Sequence, residues 1–177
     1  MLQTASAGWA RLELGVAAVL AVTITVLILL NVITRTWGAA LFWVDELAIY
    51  AMVWMTFLGA SAAAHFGNSV AITLLRDALP HHMARVLKRA IDLVILVFAA
   101  LMLWFCWRWF NPLELARSGF DTLAFQGKTF NFIYAEPTTT LGIPKVWVWA
   151  VMWLFAIGMC LHALANLTRR GDDGTAP

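Results

Sequence analysis

Residues Leu41 to Leu75 read LFWVDELAIYAMVWMTFLGASAAAHFGNSVAITLL, an acidic pair opening a long apolar run that ends in a polar turn. Asp45 and Glu46 stand where a helix should begin, so their charges face the positive end of its dipole, a placement worth about 0.3–1 kcal/mol at an exposed terminus. At mid-bilayer each carboxylate would instead cost about 2.5–3.5 kcal/mol, so the acid has been placed at an edge. Trp43 just ahead fits an interfacial anchor. Glu46, Tyr50, Val53, Phe57 and Ala60 step by four and three and share one helix face. The tail Gly59 to Ala64, GASAAA, is a row of small side chains that lets another helix backbone approach closely, within the chain or from a partner.

Working outward, 62% of the 177 residues are hydrophobic and only 12% charged, with ten tryptophans. Soluble domains are nearer half apolar and a quarter charged, so this is an all-α integral membrane protein. Four apolar runs reach or approach the ~20 residues needed to span a bilayer. They predict spans at about 12–34, 43–64, 91–110 and 146–167 in a single domain over 1–177, with a loop at 111–145. The formal charge of +2 is scattered and leaves no nucleic-acid footprint. Cys106 and Cys160 lie inside apolar runs without CxxC spacing, which favours packing.

Arg11 and Arg35 bracket the first run, which is broken only by Glu13 near its start. It is too long for a signal peptide, whose apolar region covers about 7–15 residues. After His65 and Gly67, the apolar Val70, Ile72, Leu74, Leu75 and Leu79 alternate with Asn68, Arg76 and Asp77, predicting a short amphipathic helix on the membrane between the second and third spans. Pro80 then suits a helix start. Arg85, Arg89 and Asp92 form one stripe, with Asp92 able to pair with Arg89 or Lys88. Trp104, Trp107 and Trp109 form an aromatic belt with Arg108 snorkelling beside them, and Asn111-Pro112 stops the helix. The stretch 111–145 carries Phe120, Phe125, Phe130, Phe132 and Tyr134 without helix or strand period. Such loops bind something or pack on a neighbour, unless their aromatics dip into the headgroups. Four spans place both termini on one side. Seven basic residues (Arg11, Arg76, Arg85, Lys88, Arg89, Arg169, Arg170) stand there against five opposite (Arg35, Arg108, Arg117, Lys128, Lys145). The positive-inside rule then predicts cytoplasmic termini.

Four histidines raise a metal or haem reading. His81 and His82 are adjacent and diverge, which leaves His65 with His162 as the one pair able to hold a b-type haem between spans. No Cys/His cluster, phosphate loop or nucleophile elbow occurs, and an enzyme is not expected. Asp45 and Glu46 either cap their helix or bind a cation, a proton or a partner. With no second intramembrane acid read on the other spans, the chain is too poor in midplane polar groups to carry a polar solute alone. It reads as a subunit that assists another protein.

The pattern W-x-D-E-L followed by W-x-x-F-L-G-A (Trp43, Asp45, Glu46, Leu47, Trp54, Phe57, Leu58, Gly59, Ala60) resembles the DctQ-like small membrane subunit of TRAP, tripartite ATP-independent periplasmic, transporters. Leu141-Gly142-Ile143-Pro144 leading into an aromatic last span with Gly158 is similar to the same family. Two positions depart from it. Ile49 stands where the family often has an arginine one turn after the acidic pair, and Ser69 where it has a histidine. The resemblance implies a multi-pass bacterial inner-membrane subunit of a sodium-driven uptake system for organic acids. An extracytoplasmic binding protein delivers solute to a large membrane subunit, and the small subunit braces that subunit within the lipid. Sodium sites belong to the large subunit, so no cofactor or metal is expected here. Trp43, Asp45, Glu46, Tyr50, Trp54, Phe57, Gly59, Ala60 and Ala63 are then candidates for the large-subunit interface, and Arg117, Phe120, Phe125 and Lys128 for binding-protein docking. The competing readings are a b-type cytochrome-like subunit with haem between His65 and His162, and a free-standing small channel.

Overall fold

The computed structural model describes residues 1–66 and 79–168. Within them the chain is helical: α1 Leu2–Thr36, α2 Phe42–Phe66, α3 His81–Phe110, α4 Pro112–Arg117, α5 Thr122–Thr129, α6 Val146–Trp149 and α7 Val151–Thr168. Four stretches are long and apolar enough to cross a membrane, carried by α1, α2, α3 and the nearly continuous α6–α7. No strand is present among the described residues; a single antiparallel bridge joins Pro137 and Pro144. The amphipathic helix expected around 70–79 falls almost wholly within 67–78, outside the described residues.

α1 is the first departure from expectation. It begins at Leu2 rather than near Leu12, and its 35 residues extend about 52 Å at 1.5 Å per residue. The reason is a seam. Ser6, Ala10, Glu13, Ala17, Leu20, Ile24, Leu27 and Asn31 are buried or half-buried along one stripe of four-three steps, the spacing of left-handed helix packing. Val44, Ala51 and Leu58 answer it on α2 at seven-residue intervals. The first three turns of α1 are held by polar contacts that hydropathy does not register: Gln3 Nε2 donates to the Ala165 carbonyl at 2.5 Å, and Ser6 reaches His65 and His162. α1 turns into α2 through Gly38 at φ +74°, where Gly38 N–H meets Arg35 O at 3.1 Å and Ala39 N–H meets Thr34 O at 2.9 Å. That left-handed glycine closes the helix end and makes the two helices antiparallel neighbours.

α7 is the hub. Half of its span is buried, against 11% for α1, 22% for α2 and 17% for α3, because it packs on all three. Phe155 and Met159 of α7 pack with Ala99 of α3 and Phe57 of α2, with Phe57 and Phe155 edge to face at 5.2 Å. A second cluster of Cys106, Phe110 and Ile133 takes in Tyr134, Val146, Met152 and Trp153.

The stretch 111–145 is not the irregular loop expected. Asn111, left-handed at φ 42°, ends α3 and starts α4 with Pro112. Asp121 caps α5 by accepting from Leu123 N–H at 2.9 Å and Ala124 N–H at 3.1 Å. Tyr134 then donates to the Phe110 carbonyl at 2.7 Å, and burial raises the phenol's pKa, which keeps it a donor.

Asp92 is buried, its carboxylate 3.5 Å from Asn166 Nδ2 and within the field of Lys88. The expected pairing with Lys88 or Arg89 thus becomes an approach to α7, with Lys88 acting through its charge.

Gly158 marks a close helix approach. A Cβ there would lie 2.5 Å from Glu13 Oε1, 2.5 Å from Ser61 Oγ and 2.7 Å from Trp9 Nε1, whereas Gly59 has open space. Overpacking of about 1–3 kcal/mol then outweighs the helix-propensity gain of about 1 kcal/mol. Gly158→Ala is expected to lower Tm in detergent while Gly59→Ala leaves it unchanged or raises it. Equal shifts would contradict the packing.

Candidate functional site

Helix α2 delivers Glu46 one turn inside its start, and a hairpin folds over it. Pro137 pairs with Pro144, Thr138 N–H donates to Ile143 O at 2.8 Å, and Lys145 N–H donates to Glu136 O at 2.9 Å. Lys145 Nζ also reaches Glu136 Oε1 at 2.5 Å. The hairpin tip turns its amides onto Glu46. Oε1 accepts from Tyr50 OH at 2.8 Å and Thr139 N–H at 2.7 Å; Oε2 accepts from Thr140 N–H at 2.6 Å, Thr140 Oγ1 at 2.5 Å and Leu141 N–H at 3.0 Å. A carboxylate offers about four lone-pair sites, so five donors from this chain leave Glu46 no acceptor for a partner. The expectation that Glu46 and Tyr50 face another subunit is corrected accordingly: their hydrogen bonds build the extramembrane end of this chain.

Asp45 turns the other way. Arg35 Nη2 at the end of α1 lies 2.6 Å from Asp45 Oδ2, Asn31 Nδ2 bonds Asp45 Oδ1, and Arg35 Nε donates to Asn31 Oδ1 at 3.0 Å. With Ile49 one turn along α2, the acid takes its cation from α1 instead of its own helix.

The remaining interface candidates divide by burial. Trp54 donates Nε1–H to the Val148 carbonyl at 2.9 Å and Phe57 packs on Phe155, so both serve packing within the chain. Trp43, Ala60 and Ala63 are exposed and Gly59 is half-exposed. With Ile49, Met52 and Thr56 they form the outward stripe of α2, a different face from the one expected. Among the docking candidates, Phe125 is fully buried beside Tyr134, its ring 5.3 Å away, and is withdrawn. Phe120 remains 72% exposed. Arg117 and Lys128 stay exposed, both leaning on Glu114 at 3.5 and 3.6 Å.

At the opposite end of the bundle the structure does bring His65 and His162 together, 5.3 Å between ring centroids. Ser6 Oγ lies 2.7 Å from His65 Nδ1 and 2.8 Å from His162 Nδ1, and His162 Nε2 lies 3.1 Å from Glu13 Oε2. Both nitrogens of His162 are engaged by protein groups, and rings this close have no layer between them for a porphyrin. The haem reading is thereby corrected. Glu13 and Asp92 are both buried, which also corrects the expectation of no second intramembrane acid. The signal for Glu13 lay in phase. Ser6, Glu13 and Asn31 are seven and eighteen residues apart, about two and five turns, so the polar positions of α1 mark its seam.

The sequence model described as "Tripartite ATP-independent periplasmic transporters, DctQ component" matches residues 24–171. The chain belongs to the DctQ family. It is therefore a TRAP transporter membrane component and not an enzyme. No curated protein and no solved structure matches it. The matched span contains Asp45 and Glu46, the hairpin, His65 and His162, whereas Ser6, Trp9 and Glu13 precede it.

The side chains of Arg35 and Asp45 are 56% and 43% exposed, and an exposed ion pair is worth about 0.2–1 kcal/mol. A double-mutant cycle with Arg35→Ala and Asp45→Asn is expected to give a coupling energy in that range in thermal or denaturant unfolding of the detergent-purified chain. A coupling above it would make the pair a main determinant of the α1–α2 turn.

Proposed function

We propose that this DctQ subunit braces the large membrane subunit of a sodium-driven TRAP transporter for organic acids through the outward stripe of α2, with both termini cytoplasmic and the hairpin end outside. The observation that carries this reading is a contrast in side-chain size. The exposed faces of α1 and α3 present Val19, Val22, Val26, Leu93, Val94, Val97 and Leu101, suited to lipid. The outward stripe of α2 instead presents Thr56, Gly59, Ala60 and Ala63 across its second half. Small residues admit a second helix backbone closely, and close packing is what drives association in lipid. Arg117, Phe120 and Lys128, standing out from α4 and α5, support a second role in receiving the substrate-binding protein. Sodium and solute sites are assigned to the large subunit.

A photo-crosslinking side chain at Ala60 or Ala63 is expected to capture the large subunit in cells, and one at Val19 or Val94 is not. Capture from Val94 without capture from Ala60 would place the interface elsewhere. Uptake by the assembled complex in vesicles is expected to follow an imposed sodium gradient, and uptake driven equally without sodium would overturn that part.

A further inference from the structure

The first three turns of α3 carry positive charge that the described residues do not neutralise. Arg85, Lys88 and Arg89 are all exposed, and among the described residues neither arginine has an ion-pair or hydrogen-bond partner. The first turn of α3 holds no acid. Asp92, the acid that follows on the same helix, is buried toward Asn166 of α7 and lies in the field of Lys88. Arg85 and Arg89 are four residues apart, on one side of the helix, where like charges repel. They also stand near the helix start, the reverse of the end at which a helix dipole favours cations. An anion from outside the chain would relieve both conditions.

Depth in the membrane identifies that anion. Trp104, Trp107 and Trp109 are exposed at the far end of α3 and mark one interface, as aromatic belts do. Arg89 and Arg85 precede Trp107 by 18 and 22 residues, about 27 and 33 Å along the axis at 1.5 Å per residue. The hydrocarbon core is about 30 Å thick, so both guanidinium groups reach the phosphate layer of the opposite leaflet. Toward mid-membrane the side of α3 that carries Arg89 continues with Leu93 and Val97, each 53% exposed, and Val86 flanks it at 67%. An open apolar strip thus runs from the two cations into the lipid.

We propose that Arg85 and Arg89 form a binding site for the phosphodiester of an anionic phospholipid, whose acyl chains lie along Leu93 and Val97. The planar guanidinium matches phosphate oxygens with paired donors, which lysine cannot do. Lys88, facing Asp92, borders the site. A zwitterionic headgroup brings its own cation beside the phosphate and so renews the repulsion, whereas phosphatidylglycerol brings none. Both leaflets contain phospholipid, so the site does not depend on which side the termini face.

The test is native mass spectrometry of the detergent-purified full chain, titrated separately with phosphatidylglycerol and phosphatidylcholine. The unmodified chain is expected to retain one phosphatidylglycerol in clear preference to phosphatidylcholine. Arg85→Gln with Arg89→Gln is expected to weaken phosphatidylglycerol about 25-fold, about fivefold for each cation, and to leave phosphatidylcholine unchanged. Arg85→Lys with Arg89→Lys, which keeps the charge and loses the paired donors, is expected to fall between. Arg11→Gln with Arg108→Gln makes the same change in net charge on other exposed positions and is expected to leave the preference intact. Equal retention of the two lipids by the unmodified chain would overturn the proposal, as would an equal loss in the Arg11 and Arg108 variant, which would reduce the effect to overall charge.

Discussion

One carboxylate ties the hairpin that leads into the last span to the start of the second span. Glu46 gathers the amides of Thr139, Thr140 and Leu141, the hydroxyl of Thr140 and the phenol of Tyr50. Three successive N–H groups at the hairpin tip converge on one charged acceptor, and a charged acceptor gives hydrogen bonds roughly twice as strong as a neutral one. The acid at the start of the second span thereby fixes the segment that leads into the last. Through the Glu136–Lys145 rung and the packing of Ile133, Tyr134 and Val146 on Phe110 and Trp153, that order reaches α3 and α7. The α4–α5 face proposed to meet the binding protein is positioned by the same connections.

Inside the lipid a different constraint operates. Apolar transfer no longer drives helices together, so close packing and interhelical hydrogen bonds must hold them. The bundle uses both. The α1 seam meets α2 along Val44, Ala51 and Leu58, and Gly158 lets α7 approach Trp9, Glu13 and Ser61. Polar residues at the seam ends, Asn31 with Asp45 at one and Ser6 and Glu13 with the histidines at the other, set the register between helices. What is left outward on α2 is a narrow, small-residue stripe, and the proposed partner contact follows from that remainder.

The four spans were legible because length and hydropathy alone report them, and Asp45 and Glu46 did mark the start of a helix. The partner of Glu46 was not legible. Thr140 lies 94 residues further along the chain, and helix periodicity reports which residues share a face without reporting what that face meets. The face of Glu46, Tyr50 and Phe57 meets Thr139, Thr140 and Phe155 of this chain, contacts that spacing along one helix could not name. α1 hid its first three turns for the opposite reason. Its first turns carry Gln3 and Ser6, whose polar contacts hydropathy does not register, and along the apolar remainder only Glu13 and Asn31 could have shown the seam. In the 111–145 segment, Phe120 and Phe125 look alike in sequence; the Asp121 cap and the left-handed Phe120 decide that one is exposed and the other buried.

The claim that Glu46 organises this chain from within is tested most directly by hydrogen–deuterium exchange at the amides of Thr139, Thr140 and Leu141 in the purified chain without its partners. The account predicts that these three amides are protected in the isolated chain and lose protection together in Glu46→Gln. Fast exchange in the isolated chain, with protection appearing only when the large subunit is present, would contradict it and return Glu46 to the interface.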